Sequence, residues 1–175
     1  MIFSKKTLFV YLILFFISCA NNNSNEILRA IAVIEPANNS EVKGMVFFVQ
    51  HANHVDIVVN LLGLTPNQKH GFHVHQFGDI SSKDGKSAGS HYNPEGHAHS
   101  LNNTSIRHAG DLGNLQADIN GEVNYSFKDS TISINNNKNP IIGRALIIHA
   151  KPDDGGQPTG NAGDRIGMGV IGIAK

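Results

Sequence analysis

Hydrophobic and polar residues alternate along two stretches of this chain, with the two-residue period typical of half-buried β-strands. The alternating hydrophobic positions are Val55, Ile57, Val59 and Leu61 in the first stretch and Val123, Tyr125 and Phe127 in the second. After the short polar run 21–25, no segment keeps the 3.6-residue period of an amphipathic helix. The pattern therefore predicts a protein built from strands.

Apolar runs separated by turn-forming residues predict about eight strands. We place them at 27–34, 41–49, 55–62, 69–75, 112–119, 122–128, 142–149 and 166–173. Asn120-Gly121 lies between two of them, and Asn-Gly is the strongest short-range signal for a β-hairpin. Many short strands without helices favour an all-β fold, an antiparallel sandwich or barrel.

Two connections between predicted strands are long. Residues 76–111 and 150–165 are rich in Gly, Asn, Asp, Ser and Pro. Structureless loops of more than about 15 residues in a compact domain are usually functional or disordered. The first loop contains four histidines, which are His91, His97, His99 and His108. We expect a loop with so many ligand-type side chains to be organised by a bound metal ion.

Composition and charge narrow the class of protein further. The 175 residues suit one domain, and 14 Lys plus Arg balance 14 Asp plus Glu. Zero net charge argues against a general nucleic-acid-binding protein, so no nucleic-acid partner is expected. The single cysteine excludes an intrachain disulfide and a cysteine-based zinc or iron–sulfur site. The ten histidines all follow residue 50, which directs attention to imidazole chemistry.

The first residues have the pattern of an export signal. Two lysines precede the ten-residue apolar run 8–17, which is too short for a membrane-spanning helix of about 20 residues. Cys19 follows at the processing site, and the segment resembles the lipid-attachment signal of bacterial lipoproteins. We therefore expect a signal peptide at 1–18, lipidation of Cys19, a polar tether at 19–26 and a location in the periplasm or cell envelope. Cleavage after Ala20, which would remove the cysteine, is the alternative.

Two histidines at the end of one predicted strand form half of a nitrogen-ligand site. His73 and His75 are two residues apart, and in a strand both side chains then point to the same face. His149 ends another predicted strand and would complete the group if that strand lies nearby. Asp111 lies three residues after His108. Three imidazoles and one carboxylate suit a closed tetrahedral Zn²⁺ site, whereas four imidazoles suit Cu²⁺.

Several separated motifs together carry a resemblance to a known family. They are Gly71-Phe72-His73-Val74-His75-Gln76-Phe77-Gly78-Asp79, Ser87-Ala88-Gly89-Ser90-His91-Tyr92-Asn93-Pro94, His108-Ala109-Gly110-Asp111-Leu112-Gly113-Asn114, Gly160-Asn161-Ala162-Gly163-Asp164-Arg165 and Gly169-Val170-Ile171-Gly172-Ile173-Ala174. In these motifs and in their order the chain resembles the copper/zinc superoxide dismutases. The resemblance implies that residues 27–175 form an eight-stranded antiparallel Greek-key β-barrel with two long functional loops.

The resemblance also implies roles for single residues. It implies copper bound by His73, His75, His91 and His149, and zinc bound by His91, His99, His108 and Asp111. His97 and His99 compete for one zinc position, and the family's spacing favours His99. Arg165 matches the arginine that docks the substrate anion, and Asp153 matches the carboxylate that links a copper-site histidine to a zinc-site histidine. His70 matches a structural histidine.

The activity implied by the resemblance is dismutation of the superoxide anion to O₂ and H₂O₂ by a ping-pong Cu(II)/Cu(I) cycle. Zinc, which has no redox chemistry, would organise the loop, and the bridging His91 would pass protons to the product. Arg165 favours this enzyme over the alternative, a non-catalytic copper/zinc buffering or delivery module on the same scaffold. The resemblance further implies a homodimer through Phe77, Gly78, Ile142, Gly143 and Ile173.

The chain departs from the family pattern in ways that affect stability and steering. Gly85 and Met168 occupy the positions of the family's intrasubunit disulfide, so this chain cannot form it. Such a bridge typically contributes about 2–4 kcal/mol, and we expect an unusually large loss of stability when the metals are removed. The second loop is shortened, and Pro158 stands where many relatives carry a lysine, so electrostatic steering should be weaker. His51 and His54 match no ligand and are interpreted as turn residues.

Overall fold

Eight β-strands and one short 3-10 helix make up the computed structural model, which describes residues 28–136 and 138–175. In chain order the strands are β1 (Arg29–Pro36), β2 (Lys43–Gln50), β3 (Val55–Leu62), β4 (Lys69–Val74), β5 (Asp111–Gln116), β6 (Val123–Asp129), β7 (Ala145–His149) and β8 (Arg165–Ile173). The 3-10 helix, Lys86–Ala88, lies in the first long loop. The expected export signal and Cys19 lie outside the described residues. Within the described ranges, no helix is long and apolar enough to cross a membrane.

The strands form one antiparallel sheet in the order β5-β4-β7-β8-β1-β2-β3-β6. Three connections, β3–β4, β5–β6 and β6–β7, join strands that are not hydrogen-bonded neighbours. β5 and β6, at the two ends of the order, contact each other, so the sheet curls into a nearly closed barrel. The all-β, eight-stranded antiparallel barrel predicted from the sequence is confirmed.

Alternating apolar side chains fill the barrel interior. On β3 the four positions predicted by the period are buried, namely Val55, Ile57, Val59 and Leu61. On β6 the prediction is only partly right, because Val123 is buried but Tyr125 is 53% exposed and Phe127 is half-buried. β6 is hydrogen-bonded to β3 alone and ends the strand order, so its inward positions remain partly open to solvent.

β7 and, after Lys69, β4 are buried on both faces, because the barrel core covers one face and the two long loops cover the other. All five residues of β7 are buried. A second apolar cluster, separate from the barrel core, consists of Ala37, Ala88, Ala145, Ile147 and Met168, with Ile80 packed against it. Since Ala88 and Ile80 belong to the loop, this cluster anchors loop 76–111 to the sheet.

The Asn120-Gly121 turn forms, but it does not produce the predicted hairpin. β5 ends at Gln116, three residues early, and β5 and β6 are not hydrogen-bonded neighbours. The Asp118 carboxylate closes the turn by accepting the main-chain N–H groups of Asn120 and Glu122 at 2.8 and 2.9 Å. The Leu64 N–H donates to the Gly121 carbonyl oxygen at 3.0 Å, which docks the turn on the β3–β4 connection instead.

The start of β7 also differs from the prediction. β7 begins at Ala145 rather than at residue 142. Gly143 has φ +78°, a left-handed conformation that interrupts the extended chain. The Ile142 N–H donates to the Ile134 carbonyl oxygen at 3.1 Å, so the preceding residues belong to the loop after β6.

Candidate functional site

Four histidines from three parts of the chain meet in one buried group, which we call the four-histidine cluster. His73 lies on β4, His75 directly follows that strand, His149 ends β7, and His91 comes from the first long loop. One ring nitrogen of each lies within 4.8 Å of the others. An isolated β-bridge between His75 and His91 draws the loop in, and the ring centroids of His73 and His91 are 4.0 Å apart. The structure therefore brings together the four residues expected to bind copper.

Main-chain hydrogen bonds through Gly110 hold the loop against β4. The Val74 N–H donates to the Gly110 carbonyl oxygen at 2.9 Å, and the Gly110 N–H donates to the Tyr92 carbonyl oxygen at 2.8 Å. The Tyr92 N–H in turn donates to the Val74 carbonyl oxygen at 2.9 Å. A Cβ at Gly110 would lie 2.1 Å from the Val74 carbonyl oxygen, so only glycine allows this approach. The three bonds fix the main chain just after His91 and just after His108.

Hydrogen bonds fix one ring nitrogen of each of His73, His75 and His149. His75 and His149 donate through Nδ1 to main-chain carbonyl oxygens at 3.0 and 3.1 Å. His73 donates through Nε2 to Asp153 at 2.9 Å. The remaining nitrogens, Nδ1 of His73 and Nε2 of His75 and His149, are shielded from solvent and have no hydrogen-bond partner. Unpaired buried nitrogens that converge in this way fit a metal ion, which would satisfy all of them.

A second cluster, three histidines and one carboxylate, shares His91 with the first. Asp111, the first residue of β5, places Oδ1 2.8 Å from Nδ1 of His91 and 3.2 Å from Nδ1 of His108. Its Oδ2 lies 3.0 Å from Nδ1 of His99. Nδ1 of His99 and of His108 are again buried without a hydrogen-bond partner. Three imidazoles and a carboxylate form the closed, tetrahedral donor set that suits structural Zn²⁺.

Asp153 links the two clusters from outside. Its Oδ2 accepts from Nε2 of His73 and its Oδ1 accepts from Nε2 of His99, both at 2.9 Å. The carboxylate is itself held in place, because Asn114 on β5 accepts the Asp153 N–H at 2.7 Å and donates to the Asp153 carbonyl oxygen at 2.9 Å. A Cβ at Gly160 would lie 2.0 Å from Oδ1, so this position requires glycine. Asp153 thus sets the orientation of one ring in each cluster.

Burial keeps the strand histidines neutral. In the metal-free chain it lowers the pKa of His73 to about 4 and that of His149 to about 3. It also holds the pKa of His75 well below 6.5, with the positive charges of neighbouring groups, Arg165 among them, adding to the effect. At pH 7 these imidazoles therefore carry a free lone pair, the form that binds metal.

The groups around Asp111 and Asp153 behave differently. Burial favours the neutral ring of His99, but hydrogen bonds to both carboxylates outweigh it and raise the His99 pKa to about 9. Burial also opposes ionisation of the carboxyls, yet hydrogen bonds from the histidines hold the pKa of Asp111 and Asp153 well below the usual range. This part of the site carries fixed negative charge, which suits a divalent cation.

Arg165, the first residue of β8, borders the four-histidine cluster. It is the register partner of His149, and its charge lowers the pKa of both His149 and His75. Its guanidinium donates to the carbonyl oxygens of Gly85 at 2.5 Å and Gly89 at 2.6 Å. The side chain is half-buried, so a fixed positive charge lies at the edge of the cluster.

The two positions of the family disulfide lie close together in this chain. A Cβ added to Gly85 would be 3.7 Å from Sδ of Met168. Met168 is buried in the second apolar cluster, and the Gly85 carbonyl oxygen accepts from Arg165. Apolar packing and a hydrogen bond therefore connect the loop to β8 at the two positions where the family resemblance implies a disulfide.

The remaining histidines lie outside both clusters. His97 is partly exposed, with Nδ1 3.1 Å from the Arg107 carbonyl oxygen. His70 is buried, and its Nδ1 lies 2.8 Å from the His149 carbonyl oxygen, so it supports the end of β7. His51 and His54 lie in the β2–β3 turn, where they contact Asp56.

Sequence reasoning missed the groups that orient the ligands. Asn114 lies within a motif used for the resemblance, yet its role as the support of Asp153 depends on a contact between residues 39 positions apart. Gly89 and Gly163 contribute main-chain carbonyl oxygens to His75 and His149. A carbonyl oxygen leaves no signal in residue type, so only the folded chain reveals it.

Comparisons with known proteins agree with this geometry. The sequence profile of the family described as copper/zinc superoxide dismutase (SODC) matches residues 42–171. A Cu-Zn superoxide dismutase of Paramecium bursaria Chlorella virus 1 is 48% identical over 180 positions, covering 96% of this chain and 92% of the relative. One from Schizosaccharomyces pombe is 46% identical, covering 84% and 99%, and Cu-Zn superoxide dismutase 3 of Arabidopsis thaliana is 42% identical, covering 83% and 91%.

A strand-built barrel with two buried imidazole clusters that share one histidine defines a binuclear metalloprotein. This chain belongs to the copper/zinc superoxide dismutase family. Copper and zinc are the metals that the family implies, and the two donor sets fit them.

Proposed function

We propose that this protein converts superoxide to O₂ and H₂O₂, with two superoxide anions and two protons consumed for each pair of products. The observation that carries the proposal is the half-buried Arg165 at the edge of the four-histidine cluster. When bound, copper would accept one electron from superoxide and return it to a second superoxide, and zinc would be a redox-inert structural ion.

The two donor sets are assigned by their chemistry. We assign copper to Nδ1 of His73, Nε2 of His75 and His149 and the ring of His91, and zinc to His91, His99, His108 and Asp111. The assignment is supported by the unpaired nitrogens, which are buried and converge. It also follows from ligand preference, because four imidazoles suit Cu²⁺ and a carboxylate with three imidazoles suits Zn²⁺.

Arg165 binds the substrate anion. Its hydrogen bonds to the carbonyl oxygens of Gly85 and Gly89 use two of the five guanidinium N–H groups, which leaves others for superoxide. The planar fork gives those donors a fixed direction. A positive charge at the mouth of a cleft also raises the association rate of an anion. Arg165 therefore both attracts and orients the substrate.

His91 supplies a proton to the product. Its Nδ1 lies 2.8 Å from Asp111 Oδ1, which leaves Nε2 for the side of the four-histidine cluster. Reduction of one superoxide to H₂O₂ consumes two protons, and Nε2 of His91 would hold one of them only while it is not bound to copper. Asp153 acts through His73 and His99 as a positioning residue, because it fixes both rings without reaching the substrate.

A buffering or delivery module on the same scaffold would need the metal ligands but not Arg165. The test measures superoxide dismutation and metal content of protein loaded with one equivalent each of copper and zinc. The enzyme predicts that His73→Ala loses activity together with copper, whereas Arg165→Ala keeps both metals and loses about tenfold or more in kcat/KM. Loaded wild-type protein without activity, or Arg165→Ala with wild-type activity, would favour the module.

The proposal extends to a homodimer that pairs through the surface around Gly78 and Gly143. Support comes from Phe77 and Ile173, which are 58% and 67% exposed although apolar. Sedimentation of the mature protein tests the dimer. Phe77→Glu together with Ile173→Glu should give a monomer, while Ile119→Glu, at another exposed apolar position, should leave the dimer intact. A wild-type monomer would refute this arrangement.

The proposal also includes export to the periplasm or cell envelope with a lipid anchor on Cys19. Support comes from the two lysines, the apolar run 8–17 and the cysteine that follows it. Mass spectrometry of the mature N-terminus distinguishes the outcomes. A lipid-modified Cys19 supports the anchor, a first residue Asn21 indicates cleavage after Ala20, and an intact Met1 refutes export.

A further inference from the structure

The turn between β2 and β3 gathers a third group of ligand-type side chains, His51, His54 and Asp56. Nε2 of His51 lies 3.0 Å from Oδ2 of Asp56, and Nε2 of His54 lies 3.1 Å from Oδ1 of the same carboxylate. One ligand atom from each residue lies within 4.8 Å of the other two. None of the three belongs to either buried cluster, and the dismutase reaction does not use them.

The turn holds these side chains in a defined arrangement. The His51 N–H donates to the His54 carbonyl oxygen at 2.8 Å, which closes the turn. Gln50 donates through Nε2 to the His51 carbonyl oxygen at 2.7 Å and accepts the Ile134 N–H at 2.8 Å, so the turn is also tied to the loop after β6. The two imidazole rings stack with centroids 4.7 Å apart and planes 10° from parallel.

Two atoms of this group are buried without a hydrogen-bond partner, as are five ring nitrogens of the two buried clusters. Nε2 of His54 and Oδ1 of Asp56 are shielded from solvent and lack a hydrogen-bond partner. Across residues 28–136 and 138–175, the other shielded and unpaired side-chain atoms are Nε2 of His70 and nitrogens of the two clusters. The short contact between His54 and Asp56 therefore leaves both atoms unsatisfied, a cost that a cation between them would remove.

We propose that His51, His54 and Asp56 form a third metal site, on the protein surface, for a divalent transition-metal ion such as Zn²⁺. Two imidazole nitrogens and a carboxylate oxygen are ligands that Zn²⁺ accepts, and water would complete the coordination. Ligand atoms about 2.1 Å from a tetrahedral ion lie about 3.4 Å apart, so the contacts of 3.0 and 3.1 Å must open slightly. The planes of the two stacked rings lie 10° from parallel, so at least one imidazole must also turn to point its Nε2 lone pair at the same ion. The site is partly exposed and can load from solution.

Lys128 provides an internal check on the site. It is the register partner of Asp56 on the neighbouring strand β6, and its charge opposes a cation bound at the carboxylate. Replacing this lysine with alanine should therefore strengthen zinc binding at the turn, by about threefold or more. The ligand residues and the turn itself are unchanged in that variant.

The experiment uses protein already loaded with one copper and one zinc, titrated with ZnCl₂ in a calorimeter. The wild type should bind one further zinc ion per chain, and His51→Ala and Asp56→Asn should each weaken that event at least tenfold. Asn53→Ala, in the same turn but outside the proposed ligand set, is the matched control and should bind like the wild type. Dismutase activity should be unchanged in all three variants, which separates this test from that of the proposed function.

Several results would overturn the site. They are a wild type that binds no further zinc, His51→Ala and Asp56→Asn variants that bind it as well as the wild type, and an equal loss in Asn53→Ala, which retains all three ligands. NMR of the imidazole nitrogens gives a readout without mutation. Zinc should shift the resonances of His51 and His54, and a loaded protein in which neither moves would refute the proposal.

Discussion

Arg165 donates from its guanidinium to the main-chain carbonyl oxygen of Gly85 at 2.5 Å, so the residue proposed to bind superoxide is fastened to the loop that covers the sheet. Gly85 is also one of the two positions at which the family pattern has a disulfide. In this chain, one side chain thus connects β8 to the loop and presents positive charge beside the four-histidine cluster.

Arg165→Lys tests whether the fixed direction of the guanidinium N–H groups contributes to catalysis in addition to the positive charge. Lysine keeps the positive charge but lacks the planar fork, so it cannot hold both carbonyl oxygens and the anion in the same geometry. We expect kcat/KM to fall several-fold, less than in Arg165→Ala, with copper and zinc content unchanged. Arg29→Lys, at an exposed position of β1, is the control. Equal kcat/KM in Arg165→Lys and the wild type would contradict the orienting role.

The two histidines that compete for one zinc position can be separated by metal analysis. His99 is buried and contacts both Asp111 and Asp153, whereas His97 is partly exposed and contacts neither. We expect His99→Ala to lose about one zinc per chain and His97→Ala to keep it. Elemental analysis of the purified proteins provides the measurement. Loss of zinc in His97→Ala but not in His99→Ala would show that His97, and not His99, is the zinc ligand.

Met168 should contribute strongly to stability, because it is buried where the loop packs on the sheet. Truncation of a buried methionine to alanine typically costs about 2–5 kcal/mol. We expect Met168→Ala to lower the free energy of unfolding by about that amount in denaturant titrations. Met45, which is 44% exposed on β2, provides the control, and Met45→Ala should change stability by only about 0.5 kcal/mol. Equal effects of the two substitutions would show that the second apolar cluster does not secure the loop.

Removal of both metals should destabilise the chain more than packing changes do. Five ring nitrogens in the two clusters are buried without a hydrogen-bond partner. Each unsatisfied buried group costs about 1–3 kcal/mol, and 1 kcal/mol corresponds to about 2–4 °C in a domain of this size. Calorimetry should therefore show the metal-free protein melting at least about 10 °C below the loaded one. Similar melting temperatures would count against metal-dependent ordering of the loop.

The stability of the metal-free protein should be highest near neutral pH. An unfolded histidine binds a proton near pH 6.5 but native His73 does so only at about 4, so stability falls as the pH drops between these values, by about 3 kcal/mol for His73 alone. The pKa of His99 is raised, so its contribution is present below pH 6.5 and is lost as the pH rises towards 9.

Denaturant titrations of the metal-free protein at a series of pH values test both losses of stability. His99→Ala should abolish the loss above pH 6.5 and keep the loss below it. A free energy of unfolding that stays constant between pH 7 and pH 4.5 would contradict the prediction for His73.

Local sequence patterns predicted the strands well where one face is buried and the other exposed. Residues 55–62 are the clearest case, since their limits agree with β3. The Asn120-Gly121 pair correctly predicted a turn. It did not predict the strand pairing, because the turn docks on Leu64 instead of joining β5 and β6 as hydrogen-bonded neighbours. Turn chemistry is local, whereas strand pairing depends on the order in which the whole sheet is assembled.

The site shows the same division. His73 and His75 could be paired from their spacing alone, and the family resemblance brought His91 and His149 to them. The hydrogen bonds between Asn114 and Asp153 could be found only from the structure, because a contact between residues 39 positions apart leaves no periodic pattern in the sequence. His51 and His54 match no family motif and are interpreted from the sequence as turn residues, whereas Asp56 belongs to the predicted strand 55–62, so the sequence does not indicate that the three side chains meet.

The position of β8 has a consequence for when the protein can acquire its metals. β8 follows the other seven strands in the described part of the chain, and there it alone is hydrogen-bonded both to β7 and to β1, so it joins the two halves of the sheet. A nascent chain still attached to the ribosome can contain every metal ligand and still lack the strand that unites them. We therefore expect both metals to be inserted only after β8 has been synthesised and has paired with β7 and β1.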